Sequence, residues 1–110
     1  MVVGRKTLLV IDEAYAEFST EKSAVNLISK YPQVVVVRTM SKAFAFAGAR
    51  LGYLVADKTV VDGLKVVRLP YHLSSLTQAA ALVALENAKM MQSEITEIVK
   101  SRQVVKELRW

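Results

Sequence analysis

The 110-residue sequence contains no cysteine, so neither a disulfide framework nor a thiolate metal site can form. Histidine is nearly as scarce. His72 is the only one, which removes histidine-based metal clusters and leaves it the reading of an isolated core or loop residue. Four glycines and two prolines leave no low-complexity stretch or flexible linker. A long hydrophobic run is missing too. The apolar stretch Thr7 to Ile11 follows Arg5 and Lys6 and is cut off by Asp12, which is too short for a signal-peptide core or a membrane span. With 53% hydrophobic residues, these absences predict a soluble, cytoplasmic, globular chain of one domain's length.

The formal net charge of +5 raises the question of nucleic acid. Phosphate-backbone binding needs a continuous basic surface, whereas these basic residues are dispersed and interleaved with Glu and Asp. An acidic remainder of a larger protein accounts for the excess equally well. The reading is therefore no nucleic acid and no membrane.

Thr7 to Ile11 reads as a short buried parallel strand ending at a carboxylate. Ser23 to Lys30 carries Ala24, Val25, Leu27 and Ile28 at helical spacing behind a capping serine, and Pro32 stops it. Val34 to Val37, four β-branched residues in a row, predicts a second buried strand. The segment after Ser41 is open between a helical turn and a loop. Leu51 to Ala56 reads as a third strand, and Asp57 can cap a helix over roughly Thr59 to Val67. Pro70 to Ser74 is an irregular connection, and the pattern from Ser75 is helical almost to Trp110. Gln78 to Lys89 is apolar nearly all round and predicts burial. Ser93 with Glu94 and Glu97 predicts a helix restart, hence a break near Met91–Ser93. The order predicts an α/β layered fold with a parallel or mixed sheet of about three strands and open edges, finishing in long helices. Both ends read as cut.

Chemistry-bearing residues collect at the strand ends. Asp12 and Tyr15 follow the first strand, Thr39, Ser41 and Lys42 follow the second, and Arg50 introduces the third. Ligands bind at the carboxyl edge of open parallel sheets, so these groups are expected to converge. Positive charge from Arg38 and Arg50 near Lys42 would favour a neutral amine able to attack an aldehyde. Thr39, Ser41 and Arg50 offer two hydroxyls and a fork-shaped cation, a set that suits a phosphate. Asp12 could keep a ring nitrogen protonated. Singly, each residue has a plainer reading: Asp12 as a helix cap or a partner of Arg50, Tyr15 as half-buried packing, Gly48 and Gly52 as turn residues.

Together they carry a resemblance. Val-Ile-Asp12-Glu-Ala-Tyr15-Ala-Glu-Phe18 and Arg38-Thr-Met-Ser-Lys42-Ala-Phe-Ala-Phe-Ala-Gly-Ala-Arg50-Leu-Gly-Tyr53 resemble the fold-type-I pyridoxal-phosphate-dependent aminotransferases. Within their class II group the likeness is greatest to the histidinol-phosphate aminotransferase family, and Arg68-Leu-Pro-Tyr-His-Leu-Ser74 is similar to a segment of that family's actinobacterial members. The resemblance implies that Lys42 is the Schiff-base lysine and later moves a proton at the substrate α-carbon. It implies that Asp12 pairs with the pyridine nitrogen, that Tyr15 bonds the ring's phenolic oxygen, and that Thr39, Ser41 and Arg50 hold the cofactor phosphate. Ala45 departs from the pattern at a position where glycine is frequent.

The same resemblance implies an amino donor and a 2-oxo acid as substrates and a homodimer for the whole protein. Residues 1–74 would be the strand-rich cofactor-binding part of a large domain, and 75–110 a helical segment leading towards a small domain that is absent. Further cofactor and substrate contacts would lie outside these 110 residues, so the chain alone is expected to be nearly inactive. The rival expectations are another enzyme on the scaffold (an aromatic aminotransferase or a phosphothreonine decarboxylase) and a non-catalytic remnant.

Overall fold

A computed structural model describes residues 7–108. The expectations attached to Arg5, Lys6 and Trp110 lie outside them. Three strands form one mixed sheet in the order β1 (Leu9–Asp12), β2 (Val34–Thr39), β3 (Gly52–Ala56). The helices α1 (Lys58–Val67), α2 (Ser75–Glu86) and α3 (Ala88–Glu107) follow. The β-branched run of β2 occupies the central position, where Val34 and Val36 are the two most completely buried side chains. Met40, Ala43 and Ile95 extend this small core.

β1 runs parallel to β2, with Asp12 opposite Val37. β3 runs antiparallel to β2, with Thr39 opposite Gly52 and Arg38 opposite Tyr53. The backbones approach closely at that last turn, because a Cβ on Gly52 would sit 3.1 Å from the Arg38 carbonyl oxygen. Gly52 is thus a close-approach strand residue, and Gly48 lies in a 3-10 turn over Ala47–Ala49.

Local capping follows the sequence closely. Ser23 Oγ accepts from Val25 N, Asp57 caps α1 through Thr59 N, and Ser74 caps α2 through Thr77 N. Behind Ser23, however, only a 3-10 turn forms (Ala24–Leu27) in place of the expected helix to Lys30. The break between the long helices falls at Asn87 and not near Met91–Ser93. Asn87 Nδ2 donates to the Val83 carbonyl at 2.8 Å, closing α2, while Ser93 Oγ donates back to the Met90 carbonyl at 2.7 Å inside α3. A serine hydroxyl that bonds the preceding turn sits comfortably mid-helix and starts nothing.

Burial departs most from expectation. β1 is half-exposed, with Val10 open on its outer edge, and of α2 only Ala81 is buried while Leu82, Val83 and Leu85 face outward. The chain exposes 8816 Å², against about 6,100 Å² for a folded monomer of its size. Its radius of gyration of 16.7 Å exceeds the roughly 13 Å of a compact domain this long. The apolar faces of β1 and α2 are therefore patterned for covering surfaces that the described residues do not provide. Helix α3 returns to the sheet's site end, where Arg102 donates to the Phe18 carbonyl at 3.1 Å.

Truncating Val36 to Ala, fully buried in β2, is expected to cost about 2 kcal/mol in urea unfolding of this chain. Leu82→Ala, at a side chain 63% exposed, is expected to stay within about 0.5 kcal/mol. Equal losses at the two positions would contradict the described core.

Candidate active site

The opposite senses of β1 and β3 relative to β2 decide the site. Asp12 ends β1, Thr39 ends β2, and because β3 is antiparallel its first residue, Gly52, lies beside Thr39. Arg50, two residues earlier, is thereby delivered to the edge that carries Asp12, Ser41 and Lys42. A parallel third strand would have begun at the far edge. The convergence expected from the sequence is present, although it depends on an antiparallel strand and not on an all-parallel sheet.

Asp12 is exposed, and its Oδ1 accepts from Ala14 N at 2.9 Å, which turns the chain sharply after β1. Tyr15 follows, opening a 3-10 turn over Ala16–Phe18. The residue is 62% exposed, so the half-buried packing reading does not hold. Lys42 Nζ stands 5.4 Å from the centre of that ring, in the range of a cation–π contact. The structure thus brings Tyr15 and Lys42 together from loops 27 positions apart in the sequence.

Thr39 shapes the turn that presents Lys42. Its Oγ1 donates to the Leu51 carbonyl at 3.3 Å and accepts from Ser41 N at 3.1 Å. Met40 N also donates to Leu51 O at 3.1 Å. Ser41 is half-buried, and its hydroxyl has no partner among the described residues. Arg50 is exposed in the left-handed region (φ 54°, ψ 41°), and its Nη1 lies 3.5 Å from the Ala47 carbonyl. No hydrogen bond joins Arg50 directly to Ser41 or Lys42. Ala45, the departure from the family pattern, has φ 49°. A Cβ is disfavoured there, which is the physical reason glycine suits the position. His72, on the loop after α1, is exposed, its Nε2 3.4 Å from Arg68 Nη1 and far along the chain from the site turns.

One cluster went unrecognised in the sequence. Glu13, between Asp12 and Ala14, accepts from Arg38 Nε at 3.1 Å, Arg38 Nη2 at 2.8 Å, Ser23 Oγ at 2.8 Å and Ala24 N at 2.6 Å. Ser23 Oγ is also within 2.9 Å of Arg38 Nη2, and Glu17 Oε1 lies 3.9 Å from Nη1. Arg38 is therefore committed to carboxylates, and its predicted service as a free positive charge beside Lys42 is corrected. Strand alternation was the available signal: Asp12 and Glu13 must point to opposite faces, as must Arg38 and Thr39.

Desolvation pushes the Glu13 carboxyl up, but the hydrogen bonds from Ala24 N, Arg38 and Ser23 outweigh it and hold the group below its usual 4.5. Arg38 is raised in turn, chiefly by its bonds to Glu13. A carboxyl lowered in the folded state contributes stability that is complete above its unfolded value and lost as pH falls through the folded value.

Residues 1–109 match the family model described as aminotransferase class I and II. The chain is 57% identical over 99 residues to histidinol-phosphate aminotransferase from Mycobacterium ulcerans, an overlap of 89% of this chain and 26% of that protein. It is 58% identical over 96 residues to the enzyme of the same name from Nocardia farcinica, covering 86% of this chain and 25% of that protein. Among solved structures, histidinol-phosphate aminotransferase from Sinorhizobium meliloti in complex with pyridoxal-5'-phosphate superposes with a TM-score of 0.81 at 33% identity, over 90% of this chain and 28% of that one. A decarboxylase from Sulfurospirillum multivorans gives a TM-score of 0.75 at 27% identity, over 91% of this chain and 30% of that one. The chain spans about a quarter of the length of the curated relatives it matches.

Glu13 generates a pH prediction. Stability should fall on acidification below about pH 4.5, and Glu13→Gln should flatten that part of the profile. Melting temperatures from pH 3 to 7 check this, and identical slopes in the two proteins would contradict it.

Proposed function

The chain belongs to the class I and II aminotransferase family, and from that premise we propose that its protein transfers an amino group between histidinol phosphate and 2-oxoglutarate, in histidine biosynthesis. The observation that carries the reading is the set of groups at one sheet edge: Asp12, Tyr15, Ser41, Lys42 and Arg50 on turns fixed by β1, β2 and β3. Identities of 57% and 58% to histidinol-phosphate aminotransferases support the substrate.

The donor set fits pyridoxal phosphate. An amine beside an aromatic ring suits an aldehyde, an exposed carboxylate at a strand end suits a ring nitrogen, and a hydroxyl with a guanidinium suits a phosphate. Bound there, the cofactor supplies an electron sink that stabilises negative charge at the substrate α-carbon. Lys42 anchors it through Nζ and then takes and returns the proton at that carbon. Asp12 keeps one oxygen on Ala14 N and holds a proton on the ring nitrogen with the other. Tyr15 donates its hydroxyl to the ring's phenolic oxygen. Ser41 and Arg50 bind the phosphate, and Thr39, engaged with Leu51 and Ser41, contributes through the turn it holds. Residues 1–74 form the cofactor-binding part, and 75–110 a helical connection towards a small domain. The whole protein acts in the cytoplasm as a homodimer. Among the described residues, no helix is long and apolar enough to cross a membrane.

The likeness to a decarboxylase favours a second reading, in which the same seat supports loss of carbon dioxide. Assays of the whole protein separate the two. Amino transfer from histidinol phosphate to 2-oxoglutarate is expected, falling by at least about 10²-fold in Lys42→Ala, the scale of a lost proton-transfer group. Carbon dioxide release without amino transfer, or full activity in Lys42→Ala, would overturn the proposal. The 110-residue chain alone is expected to be nearly inactive, since its site is an open edge. Lys42-dependent transamination by it would contradict that.

A further inference from the structure

Glu13 sits between Asp12, the proposed ring-nitrogen acid, and Ala14, whose N–H orients that acid. Arg38 sits immediately before Thr39, which holds the turn leading to Ser41 and Lys42. Two ties join these neighbours. Glu13 N donates to the Val37 carbonyl at 2.9 Å, and the Glu13 carboxylate receives both Nε and Nη2 of Arg38. With its side chain only 11% exposed, Glu13 also gathers Ser23 Oγ and Ala24 N, so one carboxylate fastens three segments.

The amount of stability such a pair adds is small, because desolvating two charges offsets most of their attraction. Its distinctive property is direction. Nε and Nη2 of the planar guanidinium converge on one oxygen of Glu13, Oε2, so the contact fixes the angle of Arg38 as well as its distance. Glu17 sharpens the point: its Oε1 lies 3.9 Å from Arg38 Nη1, and its buried Oε2 has no hydrogen-bond partner among the described residues. The guanidinium is the cation that both acids share, and an amine cannot reproduce its fork.

We propose that Glu13 and Arg38 are positioning residues that lock the Asp12–Tyr15 loop in register with the Ser41–Lys42 turn, setting the separation between the acid for the cofactor's ring nitrogen and the amine for its aldehyde. This rests on the functional reading of Asp12 and Lys42. The pair touches neither cofactor nor substrate. It acts through the two turns, and the Lys42–Tyr15 contact at 5.4 Å is the visible product of that register.

The test uses the whole protein loaded with pyridoxal phosphate, as Glu13→Gln and Arg38→Lys variants beside the wild type. Spectral titration gives the cofactor dissociation constant, and a pH series gives the midpoint of the bound cofactor's visible absorbance. Both variants are expected to hold the cofactor about 10- to 100-fold less tightly, the usual range for a supporting shell, with a displaced midpoint. Glu13→Gln is also expected to melt lower at neutral pH, where it lacks the stabilising carboxylate. Arg38→Lys keeps the charge and loses the fork, so it carries the test if Glu13→Gln does not fold. Wild-type affinity and midpoint in a folded variant, whatever its melting temperature, would show the pair to be structural only and overturn the inference. Failure of the wild type itself to bind the cofactor would overturn the functional reading and this inference with it, a result readily distinguished from the former.

Discussion

β2 is paired on one side with a strand that runs with it and on the other with a strand that runs against it. That arrangement decides where every chemistry-bearing residue lies. The parallel pairing aligns the carboxyl ends of β1 and β2, so Asp12 and Thr39 finish at the same edge. The antiparallel return places the beginning of β3 at that edge as well, and Arg50 arrives with it. The six residues of β2, four of them valines, are enough to hold this geometry because Val34, Val35 and Val36 also lie in the buried core. Core and site thus share one element, and damage to either is felt by both.

Charge is arranged in two tiers around that edge. The outer tier is open to solvent: Asp12, Tyr15, Lys42 and Arg50 are all exposed. The inner tier is closed, with Glu13, Arg38 and Ser23 satisfying one another. A closed inner tier keeps Arg38 engaged with carboxylates, and leaves Arg50 and Lys42 as exposed cations at that edge. Alternation along the strands, which sends Asp12 and Glu13 to opposite faces, is what makes two tiers possible from adjacent residues.

Much of this was legible in the sequence where the cause is local. The valine run of β2 and the caps Ser23, Asp57 and Ser74 depend on neighbouring residues and stand where the sequence puts them, and Asp12, Tyr15, Lys42 and Arg50 lie on the turns that follow or precede the strands. The misread features depend on distant partners or on competition. Ser93 has the composition of a cap, yet its hydroxyl bonds Met90 within a continuing helix, and Asn87 ends α2 instead. The apolar belt of α2 predicts burial because periodicity reports the environment a segment requires, while within these residues Leu82, Val83 and Leu85 meet no covering surface. The Glu13–Arg38 pair joins positions 25 apart, and only the strand register reveals it. Ala45 departs from the family pattern, and its positive φ is the reason glycine suits that position.

The claim at the centre is that Lys42 presents a cofactor amine. The most direct measurement is borohydride reduction of the whole protein in pyridoxal phosphate, followed by proteolysis and mass spectrometry of every lysine-containing peptide. The account predicts a reduced cofactor adduct on the peptide bearing Lys42, formed at one equivalent and missing from the same peptide in Lys42→Arg. An adduct confined to other lysines, or none at any, would contradict it.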